Sequence, residues 1–452
     1  MAIIQDFSTE LLCSIFQIVQ ARDQRPHPSA SLRCYRFRFR SLTLLSLVCK
    51  SWRGAILEYG VLWASIPVDT SRPGYLESAT TMLKRSNGAE LELSVHLNVD
   101  SDGLDHTRSI VRTFTHQGAR IRSLHLSADS HHVPKRAPQL QETTANAIAF
   151  IGEFAPPKPH PISRYPTNPF RGLSDLSLSL PSSAVAVNLS VILNTIKSFP
   201  ELENLRLTSF LSIIEDCPQT SSVEMPNLLR FSLRRCDSAI ILSHVVTPKT
   251  SFIDVVMSPR RTRILPTHTH ILAAFPHLPT NIRALEETTK LILEEDESNG
   301  GFSLGLSPMR SRTSSLVIVN RSPSSDRFIP KSLSAIAAHS YFGAIQSFTL
   351  SCSSRVPMSW SVVLSRFSLL SELNTSTRHA TDVLCALIHP TSDGSPRCPS
   401  LRRIKFRTCL GGKSPGVDPV LFDAFRLFRE ESLCPTVRIT LHHPGSIREE
   451  LY

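Results

Sequence analysis

The fold of this chain is decided by a stretch that recurs along it, Phe199-Pro200-Glu201-Leu202-Glu203-Asn204-Leu205-Arg206-Leu207. Apolar side chains at Leu205 and Leu207 flank a polar residue, and this period of two predicts a strand with one buried face. Variants of the stretch return at 225–233 and 398–406, each with a proline at its second position. Because proline cannot continue a preceding helix, the stretch predicts a helix, a turn and then a strand.

A shorter form of the pattern, two apolar residues separated by one residue, is spread through most of the chain. Its first apolar residue occurs at Leu91, Leu124, Leu176, Leu205, Phe231, Ile253, Leu291, Leu316, Phe348, Leu373, Ile404 and Val437. The residue three positions earlier is Leu or Ile in seven copies, at Ile121, Leu173, Leu202, Leu228, Ile345, Leu370 and Leu401. The second apolar position holds a polar residue in only one of the twelve copies, at Thr375. The copies predict a series of half-buried strands.

Helical patterns lie between these strands. Apolar residues at helical spacing predict helices over 189–196 and 383–388. A third helix is predicted over 418–428, where Asp418 is placed as the cap and Pro419 as the first helical residue. Strand and helix therefore alternate, with most copies 22 to 38 residues apart.

The first seventy residues have a different pattern, which is typical of short helices. Apolar residues repeat at helical spacing at Leu11, Leu12, Ile15, Phe16 and Val19, with Ser8 placed to cap the helix. A second helical pattern covers 44–55, and an extended piece is predicted at 66–68. Below about 40 residues such a unit usually needs a metal, a disulfide or a partner.

Three ordered motifs in this region carry a resemblance to a known family. They are E-L-L-x-x-I-F at 10–16, L-x-x-V-C-K-x-W-R at 45–53 and L-W at 62–63. Over 6–69 the chain resembles the F-box, in the F-box-like variant common in mushroom-forming fungi, although members usually begin with Leu-Pro where this chain has Phe7-Ser8. The resemblance implies a three-helix adaptor that binds Skp1. It assigns the Skp1 contact to Phe7, Leu11, Leu12, Ile15, Leu47, Val48, Cys49, Trp52, Leu62 and Trp63, most of which could equally form the core of so small a unit.

The remaining residues resemble leucine-rich repeats, whose unit is a strand and a helix every 20–30 residues. The Asn or Cys of that consensus is usually absent, but Cys236 and Cys409 fit it. This irregular form is similar to the repeats found behind fungal F-boxes. We therefore expect an α/β fold with an F-box-like domain at 6–69. An irregular leucine-rich-repeat solenoid would follow at 75–452, with a Pro-rich, irregular insertion near 128–170.

Composition limits where the protein acts and what it binds. The hydrophobic fraction of 41% is enough for a sizeable core, and the net charge of +11 permits acidic partners or nucleic acid. The segment 21–43 holds six Arg residues, which predict a solvated loop or, alternatively, a nuclear-import or nucleic-acid patch. Without a basic start at 1–20, an apolar span or a C-x-x-C pair, we expect a cytoplasmic or nuclear protein with no membrane partner.

Motifs for catalysis or metal binding occur only in unsuitable contexts. Gly301-Phe302-Ser303-Leu304-Gly305 matches G-x-S-x-G, but that motif needs a strand before it and a helix after it. The acidic run 294–297 before it predicts a solvated loop instead. His268 and His270 lack the further ligands that zinc requires. We therefore expect no enzyme, no cofactor and no metal.

Two functions follow from these expectations. The first is a substrate-recognition adaptor that resembles F-box subunits of Skp1–cullin–F-box ubiquitin ligases. It would bind a Skp1-like adaptor, through it a cullin–RING ligase, and an unknown target protein for ubiquitination through outward residues of the repeat strands such as Arg206 and Lys405. The alternative is a protein- or nucleic-acid-binding scaffold outside any ligase with a degenerate F-box, although no base-stacking motif favours nucleic acid.

Overall fold

The structure is a computed structural model, and it describes part of the chain. The described residues are 7–23, 41–98, 109–110, 112–114, 116–129, 172–180, 186–210, 212–214, 222–236, 238–257, 282, 288–296, 301–307, 316–320, 333, 343–351, 359–407, 419–443 and 446–451. They belong to two compact units, Met1–Glu203 and Asn204–Tyr452. The domain bounds 6–69 and 75–452 stay a prediction.

The first unit begins with short helices around a small apolar cluster. Its helices are α1 (Thr9–Asp23), α2 (Lys50–Glu58) and α3 (Tyr75–Arg85), with a helical segment at 41–46 and a 3-10 turn at Gly60–Trp63. The predicted cap of α1 is confirmed, because Ser8 Oγ accepts a hydrogen bond from the Leu11 amide at 3.4 Å. The buried cluster consists of Leu12, Cys13, Phe16, Leu42, Ala55, Ile56, Leu62 and Trp63.

The helical pattern over 44–55 does not form one helix. Residues 47–48 form a turn, and Cys49 is extended, with φ −158° and ψ 171°. The Cys49 sulfur accepts a hydrogen bond from the Trp52 amide at 3.5 Å and so caps α2. The prediction was wrong here because periodicity alone does not show a break that a capping side chain creates.

Parallel strands form the rest of the first unit. β1 (Ser65–Asp69), β2 (Leu91–Asn98), β3 (Ile121–Asp129) and β4 (Asp175–Ser179) lie side by side in chain order, each parallel to its neighbour. A short extended piece, β5 (Ala186–Asn188), leads into α4 (Leu189–Lys197). The four apolar residues that predicted α4 are all buried, which confirms that helix.

The second unit is a larger sheet of mostly parallel strands. Its elements are β6 (Asn204–Thr208), β7 (Ser212–Ile214), β8 (Val223–Glu224), β9 (Arg230–Arg234), α5 (Ser238–His244), β10 (Val245–Val246), β11 (Phe252–Met257), β12 (Lys290–Asp296), β13 (Gly301–Ser307), β14 (Leu316–Asn320), β15 (Ser347–Ser351), α6 (Trp360–Arg366), β16 (Glu372–Ser376), a 3-10 turn (Thr377–His379), α7 (Ala380–Ile388), β17 (Arg403–Arg407), α8 (Pro419–Glu431), β18 (Arg438–His443) and β19 (Ser446–Leu451). The sheet has the order β6-β9-β11-β14-β13-β12-β15-β16-β17-β18-β19.

Two strands of this sheet run against the others. β13 is antiparallel to both β12 and β14, and β19 is antiparallel to β18. The other neighbouring strands pair in parallel. Apart from the main sheet, β8 and β10 form a parallel pair. The protein is thus a mixed α/β fold built largely from parallel strands.

All twelve predicted strand positions are confirmed. Eleven copies begin inside a strand, and the copy at Val437 begins one residue before β18. The seven Leu or Ile residues three positions earlier have no more than traces of exposed surface, so they belong to the core. The helices α7 and α8 also lie where the sequence predicted them, and α8 begins at Pro419.

The acidic run at 294–297 was wrongly predicted as a loop. Its first three residues belong to β12, which pairs with β13 as far as Asp296 opposite Gly301. The antiparallel partner β13 extends the ladder of backbone hydrogen bonds beyond the apolar part of β12, and such backbone pairing does not require apolar side chains.

Several predicted features lie outside the described residues. These are the Pro-rich insertion except for Ala128 and Asp129, which end β3, most of the Arg-rich segment at 24–40, and the pair His268 and His270. Asp418 and Cys409 also lie outside them.

Candidate functional site

The ten residues assigned to the Skp1 contact fall into three groups by exposure. Leu12, Leu62 and Trp63 are buried in the N-terminal cluster. Ile15, Cys49 and Trp52 are half-buried. The exposed group is Phe7, Leu11, Leu47 and Val48, whose relative residue exposures are 38%, 46%, 67% and 58%.

Helix α1 carries two apolar stripes rather than the single one expected. Leu12 and Phe16 are buried and lie four residues apart, on the face that packs into the cluster. Leu11 and Ile18 are exposed and lie seven residues apart, two helical turns on a different face. Burying only one stripe leaves the second available to another protein.

The segment at 41–48 divides its apolar side chains in the same way. Leu42 lies in the cluster and Leu45 packs against it. Hydrogen bonds from the Leu47 amide to the Leu44 carbonyl at 3.1 Å, and from the Val48 amide to the Leu45 carbonyl at 3.2 Å, close the turn that follows. Because of this turn, Leu47 and Val48 face solvent together at the beginning of α2.

The two tryptophans of the region pack inside the N-terminal helical unit. The Trp52 ring meets the Phe16 ring edge-on with centroids 5.2 Å apart. Trp63 Nε1 donates a hydrogen bond to the Ile56 carbonyl at 2.6 Å, and the Arg85 guanidinium lies 4.5 Å above the Trp63 ring. These contacts give both rings a role in the core, and they hold α1, α2 and the 3-10 turn together.

Exposed apolar side chains are concentrated in this region. Nine of the fifteen large apolar side chains that the described part of the chain exposes lie between Phe7 and Val61. An apolar concentration of this kind on a small helical unit is typical of a protein-binding surface. We call the exposed residues Phe7, Leu11, Ile18, Leu44, Leu47 and Val48 the N-terminal apolar surface.

A cavity in the first unit was missed by the sequence analysis. It has a volume of about 280 Å³ and is lined by apolar residues, such as Val68, Met82 and Val95, together with Asp69, Arg72, Tyr75, His96, His125 and Ser127. Asp69, His96 and Ser127 occupy one row across β1, β2 and β3, and His96 Nδ1 lies 2.8 Å from Ser127 Oγ. The Asp69 carboxylate contacts Arg72 Nε at 2.9 Å.

The signal for this cavity was the alternation of polar residues at 94, 96, 125 and 127 on two strands. Finding it required the pairing register, which places His96 beside Ser127 across 31 residues of sequence. The cavity can accept a small polar group, and no function is assigned to it.

The outward positions suggested for the repeat strands do face away from the core. On β6 the burial alternates, so Asn204 and Arg206 lie opposite the buried face. Burial, and then the nearby Arg234, lower the pKa of Arg206, whereas Asp254 acts in the opposite direction. On β17 the same alternation turns Arg403 and Lys405 outward, while Arg402 is exposed just before the strand.

The residues considered for catalysis and metal binding do not form a site among the described residues. Gly301–Gly305 lies wholly inside β13, between two antiparallel neighbours, so Ser303 is not on a strand-to-helix turn. No three His, Cys, Asp or Glu side chains in the described part of the chain are grouped to hold a metal ion.

Within the described ranges, the helices are all too short or too polar to span a bilayer.

Comparison of the chain with protein-family models and with curated protein sequences gives no match.

Proposed function

We propose that the protein is a non-catalytic substrate receptor of a cullin–RING ubiquitin ligase. In this proposal 6–69 is an F-box-like domain that binds a Skp1-like adaptor, and the strands from β2 onward form an irregular leucine-rich-repeat solenoid that binds a target protein. The receptor contributes proximity, because it holds the target near the ubiquitin-charged enzyme of the ligase.

The observation that carries the proposal is the N-terminal apolar surface. Leu11, Leu47 and Val48, which the F-box resemblance assigns to the Skp1 contact, are exposed although they are apolar. A helical unit that leaves such side chains uncovered gains free energy when a partner buries them, at about 25 cal/mol per Å² of apolar area. Buried apolar anchors of this kind usually dominate the affinity of an interface.

The parallel strands support the second half of the proposal. A helix lies between β9 and β11, between β15 and β16, between β16 and β17, and between β17 and β18. The residues Leu202, Leu228 and Leu401 are buried at the turn before their strands. The Cys236 thiol, at the consensus Asn or Cys position, donates a hydrogen bond to the Leu207 carbonyl of the preceding strand at 3.2 Å. A side chain at that position therefore links successive strands.

Co-purification with recombinant Skp1 tests the proposal. The full chain should retain Skp1 on an affinity column, and the double variant Leu47→Ser with Val48→Ser should lose most of it. Val420→Ser is the matched control, because Val420 is 70% exposed on α8, outside the N-terminal surface. Absence of Skp1 from the wild-type eluate, or equal retention by the double variant, would contradict the proposal.

A gain-of-binding variant addresses the Phe7-Ser8 departure. Phe7→Leu with Ser8→Pro restores the residues usual in the family and should strengthen Skp1 binding relative to the wild type. Ser8→Ala alone separates the effect of the lost helix cap, which is typically about 1 kcal/mol. Weaker binding by the restored variant than by Ser8→Ala would count against an F-box contact at these positions.

A further inference from the structure

The outward face of β17 is uniformly basic. Its three outward side chains are Arg403, Lys405 and Arg407, and they alternate with the buried Ile404 and Phe406. Residues two apart on a strand are separated by about 6.6 Å, so the three cations form a line with that spacing. We call this line, with Lys290 and Arg438, the basic strand face.

Neighbouring strands extend this face and neutralise only one of its cations. The pairing register places Arg438 of β18 beside Arg403 on one side and Glu372 of β16 beside it on the other. Glu372 Oε1 forms an ion pair with Arg403 Nη1 at 2.6 Å, so one of the cations already has a partner. Lys290, Lys405, Arg407 and Arg438 have no hydrogen-bonded or ion-pair partner among the described residues.

Short polar side chains form a depression beside these cations. Ser347, Thr349 and Asn374 lie in register between Lys290 on β12 and the basic residues of β17. Together with Lys290, Glu372, Leu373, Arg403 and Lys405 they line a cavity of about 180 Å³, in which the Glu372 carboxylate is paired with Arg403. Hydroxyl and amide groups at its floor can bond to the backbone of a bound peptide, while the cations at its edges attract negative charge.

We propose that the basic strand face binds an extended acidic peptide whose acidic residues alternate with other residues. An extended chain places every second side chain on one side with the same spacing of about 6.6 Å, so two alternate carboxylates match the unpaired Lys405 and Arg407. A third carboxylate reaches Arg403, where it shares the guanidinium with Glu372. That the peptide belongs to the ubiquitination target rests on the proposed function. The binding of the peptide itself does not.

Fluorescence anisotropy with two labelled peptides of equal composition tests the proposal. Ser-Glu-Ser-Glu-Ser-Glu-Ser should bind the full chain several-fold more tightly than Ser-Ser-Glu-Glu-Glu-Ser-Ser, because clustered acids in an extended chain face opposite sides. Affinity should fall as salt is added, since the contacts are exposed charges. Equal affinities for the two peptides, or no binding at low salt, would overturn the proposal.

Charge reversal locates the binding surface. Lys405→Glu with Arg407→Glu should weaken the alternating peptide about tenfold or more. Arg438→Glu, outside β17, provides a second variant that should also weaken peptide binding. Lys197→Glu on α4 is the matched control and should leave the affinity for the peptide unchanged. Unchanged affinity in both basic-face variants, with circular dichroism showing that they fold, would overturn the assignment.

Two further measurements separate peptide binding from nucleic-acid binding and from Skp1 binding. An oligothymidylate of equal charge should bind more weakly than the peptide; if it binds more tightly and displaces it, the face is a nucleic-acid surface and the proposal fails. Skp1 retention should be unaffected by Lys405→Glu with Arg407→Glu. Peptide binding should survive Leu47→Ser with Val48→Ser, so failure of one proposal is distinguishable from failure of the other.

Discussion

The N-terminal helices and the repeat strands use equally apolar patterns but cover them differently. On β9 and β17 the inward residues Phe231, Ile404 and Phe406 have no exposed surface. At the beginning of α2, Leu47 and Val48 are more than half exposed. A periodic pattern thus shows which face is apolar, whereas the neighbouring elements decide whether the same chain covers it. Four measurements test this contrast between covered and uncovered apolar faces.

The largest effect is expected inside the second unit, where the pattern is fully covered. Phe231→Ala removes a side chain without exposed surface from the middle of β9 and leaves a cavity. The free energy of unfolding should fall by about 3–5 kcal/mol. Urea denaturation of the full chain, followed by circular dichroism, measures the loss. A decrease below about 1 kcal/mol would mean that the core of this sheet is loosely packed.

A smaller but still large effect is expected at a buried cation. Arg429 on α8 is 3% exposed, and its guanidinium donates hydrogen bonds to the carbonyls of Cys398 at 3.1 Å, Leu401 at 3.0 Å and Pro435 at 3.2 Å. Arg429→Met should lower the free energy of unfolding by about 2–4 kcal/mol, because these carbonyls lose their donors.

Arg429→Lys is the informative companion to that variant. It keeps the positive charge but lacks the planar fork of donors, so it should recover little of the lost stability. Urea midpoints of the wild type and of both variants give the comparison. Full recovery by lysine would show that charge, rather than the set of hydrogen bonds, holds α8 against the turns before β17 and β18.

An intermediate effect is expected from pH. Burial raises the pKa of the Cys398 thiol to about 12, although Arg429 and Arg397 act in the opposite direction. The buried site favours the neutral thiol. The contribution of this thiol to the free energy of unfolding is therefore intact below pH 9 and is lost as pH rises towards 12. The free energy of unfolding should fall by about 1.4 kcal/mol by pH 10.

Cys398→Ala is the control for this titration. Urea denaturation between pH 8 and pH 10 should show the additional decrease in the wild type and not in the variant. The Cys398 thiol donates a hydrogen bond to the Leu364 carbonyl at 3.2 Å, so the variant is also expected to be less stable at all pH values. Parallel pH profiles in the two proteins would contradict the raised pKa.

The smallest effect on stability is expected at the N-terminal apolar surface. Leu47→Ser with Val48→Ser should change the free energy of unfolding by less than about 0.5 kcal/mol, as is usual for exposed positions. The same urea experiment measures it. A loss of about 2 kcal/mol or more would show that the two side chains stabilise the fold of the first unit rather than a partner contact.

Much of the fold could be predicted because strands with one buried face have a simple signature. Val255 and Phe406, for example, each stand two residues after the first apolar residue of their copy of the pattern, and both are buried as expected. β19 was missed because Ser446–Leu451 is mostly polar, and backbone pairing with β18 holds it in place. β13 was missed because its glycines and serines match a loop as well as a strand. Pairing partners distant in sequence are not visible in a local pattern.

The candidate sites were less predictable than the fold. Exposure of Leu47 depends on the turn at 47–48, after which Cys49 caps α2, and a thiol as helix cap has no strong sequence signal. The row of Asp69, His96 and Ser127 depends on the register of three strands. By contrast, Lys405 was visible as an outward candidate, because the alternation within one strand suffices to place it.

The pairing of β11 with β14, which is not the next strand along the chain, has a consequence for synthesis of the protein. β11 ends at Met257, but its neighbour β14 begins at Leu316, 59 residues later. A ribosome adding about 5–20 residues per second leaves that edge of β11 without its partner for about 3–12 seconds. Nascent chains released before Leu316 should therefore self-associate more than chains that extend beyond Asn320, since an open strand edge is a template for pairing.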